Sequence, residues 1–233
     1  MSKISYKTYL NDRLKKVDLH GHWTHPLYVQ VTHGRKTVFF KSYYFDLFSK
    51  PRYSVSVAGV GRGPSLEEIR AKEEEVIDFV VGLHPDDFSL ELFKREYAYY
   101  SRDLCDSTEE GFVDYLYTFF QDKGMPALAR ALKEGCGHCI AHEVVGDMGL
   151  ALGKGVYREL LANAIHYGCP YMPLYGFMRE LKAWPMLSLS VMEWEMGPTR
   201  AAFTEYLAVN CSPGLAPGIE AGVAGLLDVL RKG

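Results

Sequence analysis

Apolar residues alternate on a two-residue period over roughly the first 58 residues and recur at helical spacing over most of the rest. Leu27, Val29 and Val31 alternate with Tyr28, Gln30 and Thr32, which is the pattern of a strand with one buried face. Residues 36–45 form a second β-branched and aromatic run, and Ile4 to Leu10 a third. His33-Gly34 predicts a two-residue hairpin turn with positive φ between the first two runs. That turn sets Val29 against Val38, Tyr28 against Phe39 and Leu27 against Phe40. Leu27, Val29, Val31, Val38 and Phe40 then share one face. Tyr28, Gln30, Thr32, Arg35, Thr37, Phe39 and Lys41 share the other. The apolar sides of the two strands coincide, as a half-buried hairpin requires.

Residues 59–64, Gly-Val-Gly-Arg-Gly-Pro, read as a linker. Ser65 and Glu68 then form a capping box, opening a helix with Ile69, Val76, Phe79 and Val80 on its apolar side. Ser89 caps a second helix running to Tyr100. Ser107 or Thr108 opens a third, with Phe112, Tyr115, Leu116, Phe119 and Phe120 at helical spacing and Gly124 past its end. Pro126, Gly135, Gly155, Pro173, Pro198 and Pro213 punctuate further helical segments, the last from Ile219 to Leu230. The fold class is therefore α+β. A small antiparallel sheet of about three strands occupies residues 1–58, the linker residues 59–64, and a larger helical domain residues 65–233.

Charge sharpens this division. Residues 1–63 hold 11 Lys and Arg against 3 Asp and Glu, whereas residues 64–233 hold 15 against 26. A basic end on an acidic body points to a polyanion partner for the basic end. With no stretch of about 18 apolar residues, no membrane partner is expected. The first residues carry no apolar signal region, and the 5 cysteines are odd in number. Free thiols in a reducing, cytoplasmic setting are the expectation.

Four constellations are candidates for chemistry. Gly59-x-Gly61-x-Gly63 resembles a dinucleotide loop, but Pro64 occupies the sixth place and offers no N–H to a phosphate. Cys136-Gly137-His138-Cys139 has the letters of a dithiol oxidoreductase, without the preceding buried strand. Cys136 and Cys139 with His166 and Cys169, and His142 nearby, have spacing compatible with a closed zinc site, the alternative being cysteines packed as small core residues. Glu73-Glu74-Glu75 and Glu109-Glu110 are expected on solvated helix faces, while Trp184, Trp194 and the aromatics at 171–177 are expected in the core. The fourth constellation is the basic hairpin. Arg35, Lys36 and Lys41 lie on it, Arg13, Lys15 and Lys16 precede it, and Lys50 and Arg52 follow. A β-ribbon fits the DNA major groove, where Gln30 and Arg35 suit base edges, whereas Tyr28 and Phe39 could stack on single strands or pack against the helix at 66–82.

Arg13-Leu14-Lys15-Lys16, then Pro26-Leu27-Tyr28-Val29-Gln30-Val31-Thr32 and a turn leading into Arg35-Lys36, form one ordered pattern. It resembles the arm-type DNA-binding region at the N-terminus of Bacteroidetes tyrosine recombinases, which are integrases of mobile elements. The likeness covers about residues 6–95 and includes the helices expected after the linker. It implies DNA binding by Arg13, Lys15, Lys16, Arg35, Lys36 and Lys41. It does not extend to catalysis, because the recombinase His-x-x-Arg element occurs nowhere in the chain. The resulting expectation is a non-catalytic DNA-binding protein with a helical body for protein contacts. The alternative is a protein-interaction or structural protein whose integrase-like sheet no longer binds DNA. No cofactor is expected apart from the candidate zinc.

Overall fold

The computed structural model describes residues 4–54, 62–168 and 170–232. Five strands come first: β1 (Ser5–Leu10), β2 (Val17–Leu19), β3 (His22–Thr24), β4 (Leu27–His33) and β5 (Lys36–Lys41). β1, β4 and β5 make an antiparallel sheet with β4 in the middle, and β2 and β3 a separate small hairpin. The helices follow as α1 (Tyr43–Phe48), α2 (Leu66–Leu83), α3 (Leu90–Tyr100), α4 (Leu104–Asp122), α5 (Pro126–Gly135) and α6 (Ala141–Ala151). They continue with α7 (Lys154–Tyr167), α8 (Tyr171–Leu181), α9 (Val191–Glu195), α10 (Pro198–Asn210) and α11 (Ala216–Lys232). This is the α+β arrangement read from the sequence, with the sheet at the N-terminal end. Of the linker, residues 59–61 lie outside the described residues. So do Gly59 and Gly61 of the glycine motif.

The hairpin has the expected faces but not the expected register. Val29 stands opposite Phe40, Val31 opposite Val38 and His33 opposite Lys36. Gly34 and Arg35 are the turn, with φ of 58° and 65°, so the loop lies one residue later than His33-Gly34. Both central residues of such a turn need positive φ, which glycine adopts without penalty and arginine does not. His33 stays in the strand, where its ring meets Phe88 edge-on at 5.0 Å. Moving the turn by one residue shifts the pairing by two, and an even shift leaves every side chain on its original face. The second hairpin, β2–β3, turns at His20-Gly21 with φ of 54° and 85°.

The sheet's inner face packs on α2 and α3. Leu27, Val29 and Val31 are fully buried, and Phe40 lies against Phe93 and Tyr97. On β1, Thr8 donates a hydrogen bond to Glu74 at 2.8 Å and Tyr6 donates to Asp78, both acceptors being on α2. One apolar cluster runs from these strands through α1 to α11.

The capping box at Ser65 and Glu68 and the Ser89 cap of α3 form as expected. The start of α4 does not. Asp103 is its cap, accepting the Asp106 N–H at 2.6 Å through Oδ1 and the Leu189 N–H at 2.6 Å through Oδ2. Ser107 and Thr108 sit inside the first turn, where their hydroxyls donate to the Asp103 and Leu104 carbonyls. A buried carboxylate offers acceptors in two directions, so one residue caps the helix and also holds the 187–191 segment.

Two of the acidic residues expected in solvent are buried instead. Glu73 is fully buried, and Glu109 is 5% exposed. Glu73 accepts the hydroxyl protons of Ser42 and Tyr97 and lies 3.4 Å from the Tyr44 N–H. Glu109 accepts from Ala141 N–H at 3.1 Å and Tyr171 Oη–H at 3.0 Å and pairs with Arg52. Glu75 and Glu110 are exposed as expected, and Glu74 is half-buried. Trp194 and the Tyr171, Tyr175 and Phe177 rings are core, while half-buried Trp184 donates its indole N–H to the Arg62 carbonyl at 2.8 Å.

Candidate nucleic-acid interface

Strand parity builds the outer face of the sheet. Side chains alternate sides, so residues in register on three adjacent strands form rows. The pairings place Tyr9, Tyr28 and Lys41 in one row, Lys7, Gln30 and Phe39 in the next, and Ser5, Thr32 and Thr37 in the third. None of these nine is acidic. Phe39 is 57% exposed, and Tyr9, Tyr28 and Gln30 are half-buried. Tyr28 and Phe39 therefore belong to the outer face, and the packing against α2 falls to Thr8, Tyr6 and the aliphatic face. The Tyr9 and Tyr28 rings lie 6.3 Å apart at a 47° tilt, and Lys7 Nζ lies 5.5 Å from the Tyr9 ring centre. Thr32 and Thr37 hydrogen-bond to each other at 3.0 Å. Lys7 and Tyr9 were not singled out from the sequence. The alternation of β1 carries the signal, but only its pairing with β4 shows which parity faces out.

The cations named from the sequence divide into three groups. Arg35 is in the turn, and Lys36 begins β5 on the same side as His33, away from the outer face. Arg13, Lys15 and Lys16 are exposed in the segment after β1, where Asn11 N–H donates to the Pro26 carbonyl at 2.9 Å. These two groups sit at opposite ends of the sheet, about 17 Å apart along the strands at the usual rise per residue. The third group is neutralised. Lys41 pairs with Asp46, Lys50 and Arg52 with Asp106, Arg52 also with Glu109, and Arg62 with Glu68. Arg52 is largely buried; burial opposes its charge, but Tyr53, Glu109 and Asp106 outweigh that and raise its pKa. Lys7, Arg13, Lys15, Lys16, Arg35 and Lys36 form no ion pair among the described residues.

Of the candidate zinc ligands, Cys136 is buried at the C-terminus of α5, Cys139 is exposed before α6, and His166 is exposed in the last turn of α7. Cys169 lies outside the described residues. No cluster of three or more His, Cys, Asp or Glu suited to a metal occurs among the described residues. Burial and the nearby Glu109 carboxylate push the Cys136 thiol up to about 11. It is protonated at neutral pH, whereas disulfide exchange needs a thiolate. His142, named as a further ligand, stacks on Tyr175 at 4.8 Å, and burial followed by the Arg179 charge lowers its pKa to about 4.

No helix among the described residues is long and apolar enough to cross a membrane. Comparison of the chain with protein-family models, curated proteins and solved structures gave no match.

Proposed function

We propose that this chain binds DNA through the outer face and ends of its N-terminal sheet, without catalysing a reaction on it, and that the helical body serves protein contacts. The observation that carries the reading is the coincidence of three features on one surface. None of the nine strand residues of the face is acidic, its rings are partly open to solvent, and cations with no ion pair among the described residues stand at both of its ends. The likeness to arm-type regions of integrases supports the same reading.

Affinity then comes mainly from phosphate neutralisation. The cations lie at separate ends of the sheet, so about three of them contact phosphate at once, and log affinity falls against log salt with a slope of roughly −3. The test is fluorescence anisotropy on a mixed-sequence duplex at several salt concentrations, for the natural chain and the Lys7→Glu/Arg35→Glu variant. The expected result is weaker binding by at least tenfold and a shallower slope in the variant. Equal, negligible binding by both at low salt, to the duplex and to an unpaired strand alike, rejects the reading.

A specific observation favours a second reading, that of an interaction protein whose sheet no longer binds DNA. Lys50 and Arg52 of the basic segment are already neutralised by Asp106 and Glu109 of the acidic one. Intramolecular pairing of that kind lowers the charge available to a polyanion. Retention on heparin at moderate salt supports the first reading, and elution in the void supports the second.

A further inference from the structure

The aromatic content of the outer face narrows the ligand. Three rings stand on three adjacent strands: Tyr9 directly opposite Tyr28, and Phe39 diagonal to Tyr28 across the β4–β5 pair. Tyr9 and Tyr28 are not packed face to face, their rings being tilted by 47°. The strands beneath them have their opposite face buried against α2 and α3, so the rings stand on a rigid base. A sheet that needed only phosphate contacts would gain nothing from such rings, and the exposed area of Phe39 is an unfavourable hydration term.

We infer that this face is a stacking platform for an unpaired DNA strand, with bases laid on Tyr28, Phe39 and Tyr9 and the backbone tracked by Lys7 and Arg35. The inference rests on the proposed DNA-binding function and specifies the form of DNA. A duplex keeps its base faces stacked internally and presents only edges and phosphates to a protein, so the rings could not stack on its bases. An unpaired strand offers those faces, and stacking on an aromatic side chain contributes about 1–3 kcal/mol per base. Gln30, between Lys7 and Phe39, supplies a polar group for a base edge without excluding any base. Stacking is tolerant of sequence, so little base preference accompanies the strand preference.

The experiment compares a fluorescein-labelled 15-nucleotide dT strand with a 15-base-pair mixed-sequence duplex, by anisotropy on the full chain at one salt concentration and then across a salt series. The single strand is expected to bind at least tenfold more tightly. Phe39→Ala is expected to weaken it about tenfold with no change in salt slope, because the substitution removes a ring and no cation. Arg35→Glu is expected to flatten the slope instead. A duplex bound as well as or better than the strand, with Phe39→Ala having no effect, overturns the stacking platform and leaves DNA binding standing. Failure to bind either oligonucleotide at low salt overturns both. Phe39 is exposed, so its loss does not threaten folding, and an unchanged thermal midpoint of the variant checks this.

Discussion

Glu73, on α2, accepts the hydroxyl proton of Ser42, the residue that caps α1. The same carboxylate takes the Tyr97 hydroxyl from α3, so three helices meet on one buried acid. Burial raises the pKa of Glu73, opposed by the hydrogen bonds from Ser42, Tyr97 and the Tyr44 N–H. Glu73→Ala leaves these donors without an acceptor and is expected to cost about 2–4 kcal/mol, since each buried unsatisfied polar group costs about 1–3 kcal/mol. Ser42→Ala removes one cap and is expected to cost about 1 kcal/mol. Urea denaturation of the two variants checks the order, and equal midpoints would contradict it.

Arg52 and Arg35 are both arginines of the basic segment, with opposite roles. Arg52 is paired with Asp106 and Glu109 in a largely buried cluster, and Arg35 is an exposed turn residue. Arg52→Ala leaves buried Glu109 without its cation and half-buried Asp106 with Lys50 alone, and is expected to destabilise the protein by about 3–5 kcal/mol. Arg35→Ala at the surface is expected to change stability by no more than about 0.5–1 kcal/mol, positive φ being as unfavourable to alanine as to arginine. Thermal midpoints of the two variants separate them.

Arg35→Gly tests the turn itself. With φ of 65°, Arg35 adopts a conformation that costs an L-residue about 1–2 kcal/mol, part of which glycine returns as chain entropy on folding. The expected net effect is a rise in thermal midpoint, accompanied by weaker DNA binding. A lowered midpoint would show that the arginine side chain holds the hairpin together.

Phe39 and Phe40 are neighbours on opposite faces. Phe40→Ala removes a ring lying 4.6 Å from Tyr97 and is expected to cost about 2–4 kcal/mol, whereas Phe39→Ala stays within about 0.5 kcal/mol. Reversed costs would mean that the sheet presents its other face to the body.

Asp103 predicts a pH dependence. Burial first, and then the neighbouring Asp106 charge, raise its pKa to about 7 against the backbone N–H groups that lower it. A carboxyl whose folded pKa lies above its unfolded value binds more protons in the folded state. Its stabilising contribution is full below about pH 4 and is lost as the pH rises through about 7. Glu193 acts oppositely. Although burial raises it, Lys72, Lys182 and Ser190 bring it down to about 2, so its contribution is lost as the pH falls through that value. Asp103→Asn keeps an oxygen for the cap and removes the titration. The variant is expected to show a flatter stability profile between pH 4 and 7 in urea titrations, and an unchanged slope would assign the dependence to another group.

What local chemistry dictates was readable from the chain. The alternation of β4 determined which of its side chains are buried, because a strand's period admits two faces and apolar residues occupy one. Ser65 with Glu68, and Ser89 alone, determined two helix starts, because a cap is satisfied within three residues of itself. Three matters were decided only in three dimensions. The hairpin register was one, since any even shift satisfies the same apolar faces, and the contact of His33 with Phe88 together with a glycine at the first turn position is what the structure shows at the chosen one. The burial of Glu73 and Glu109 was another, because an acidic run looks solvated until donors from distant segments converge on it. The outer face was the third. Tyr9 and Lys7 join Tyr28, Gln30 and Phe39 only when β1 pairs with β4, bringing together residues about 20 positions apart in the chain, a distance over which side-chain periodicity carries no information.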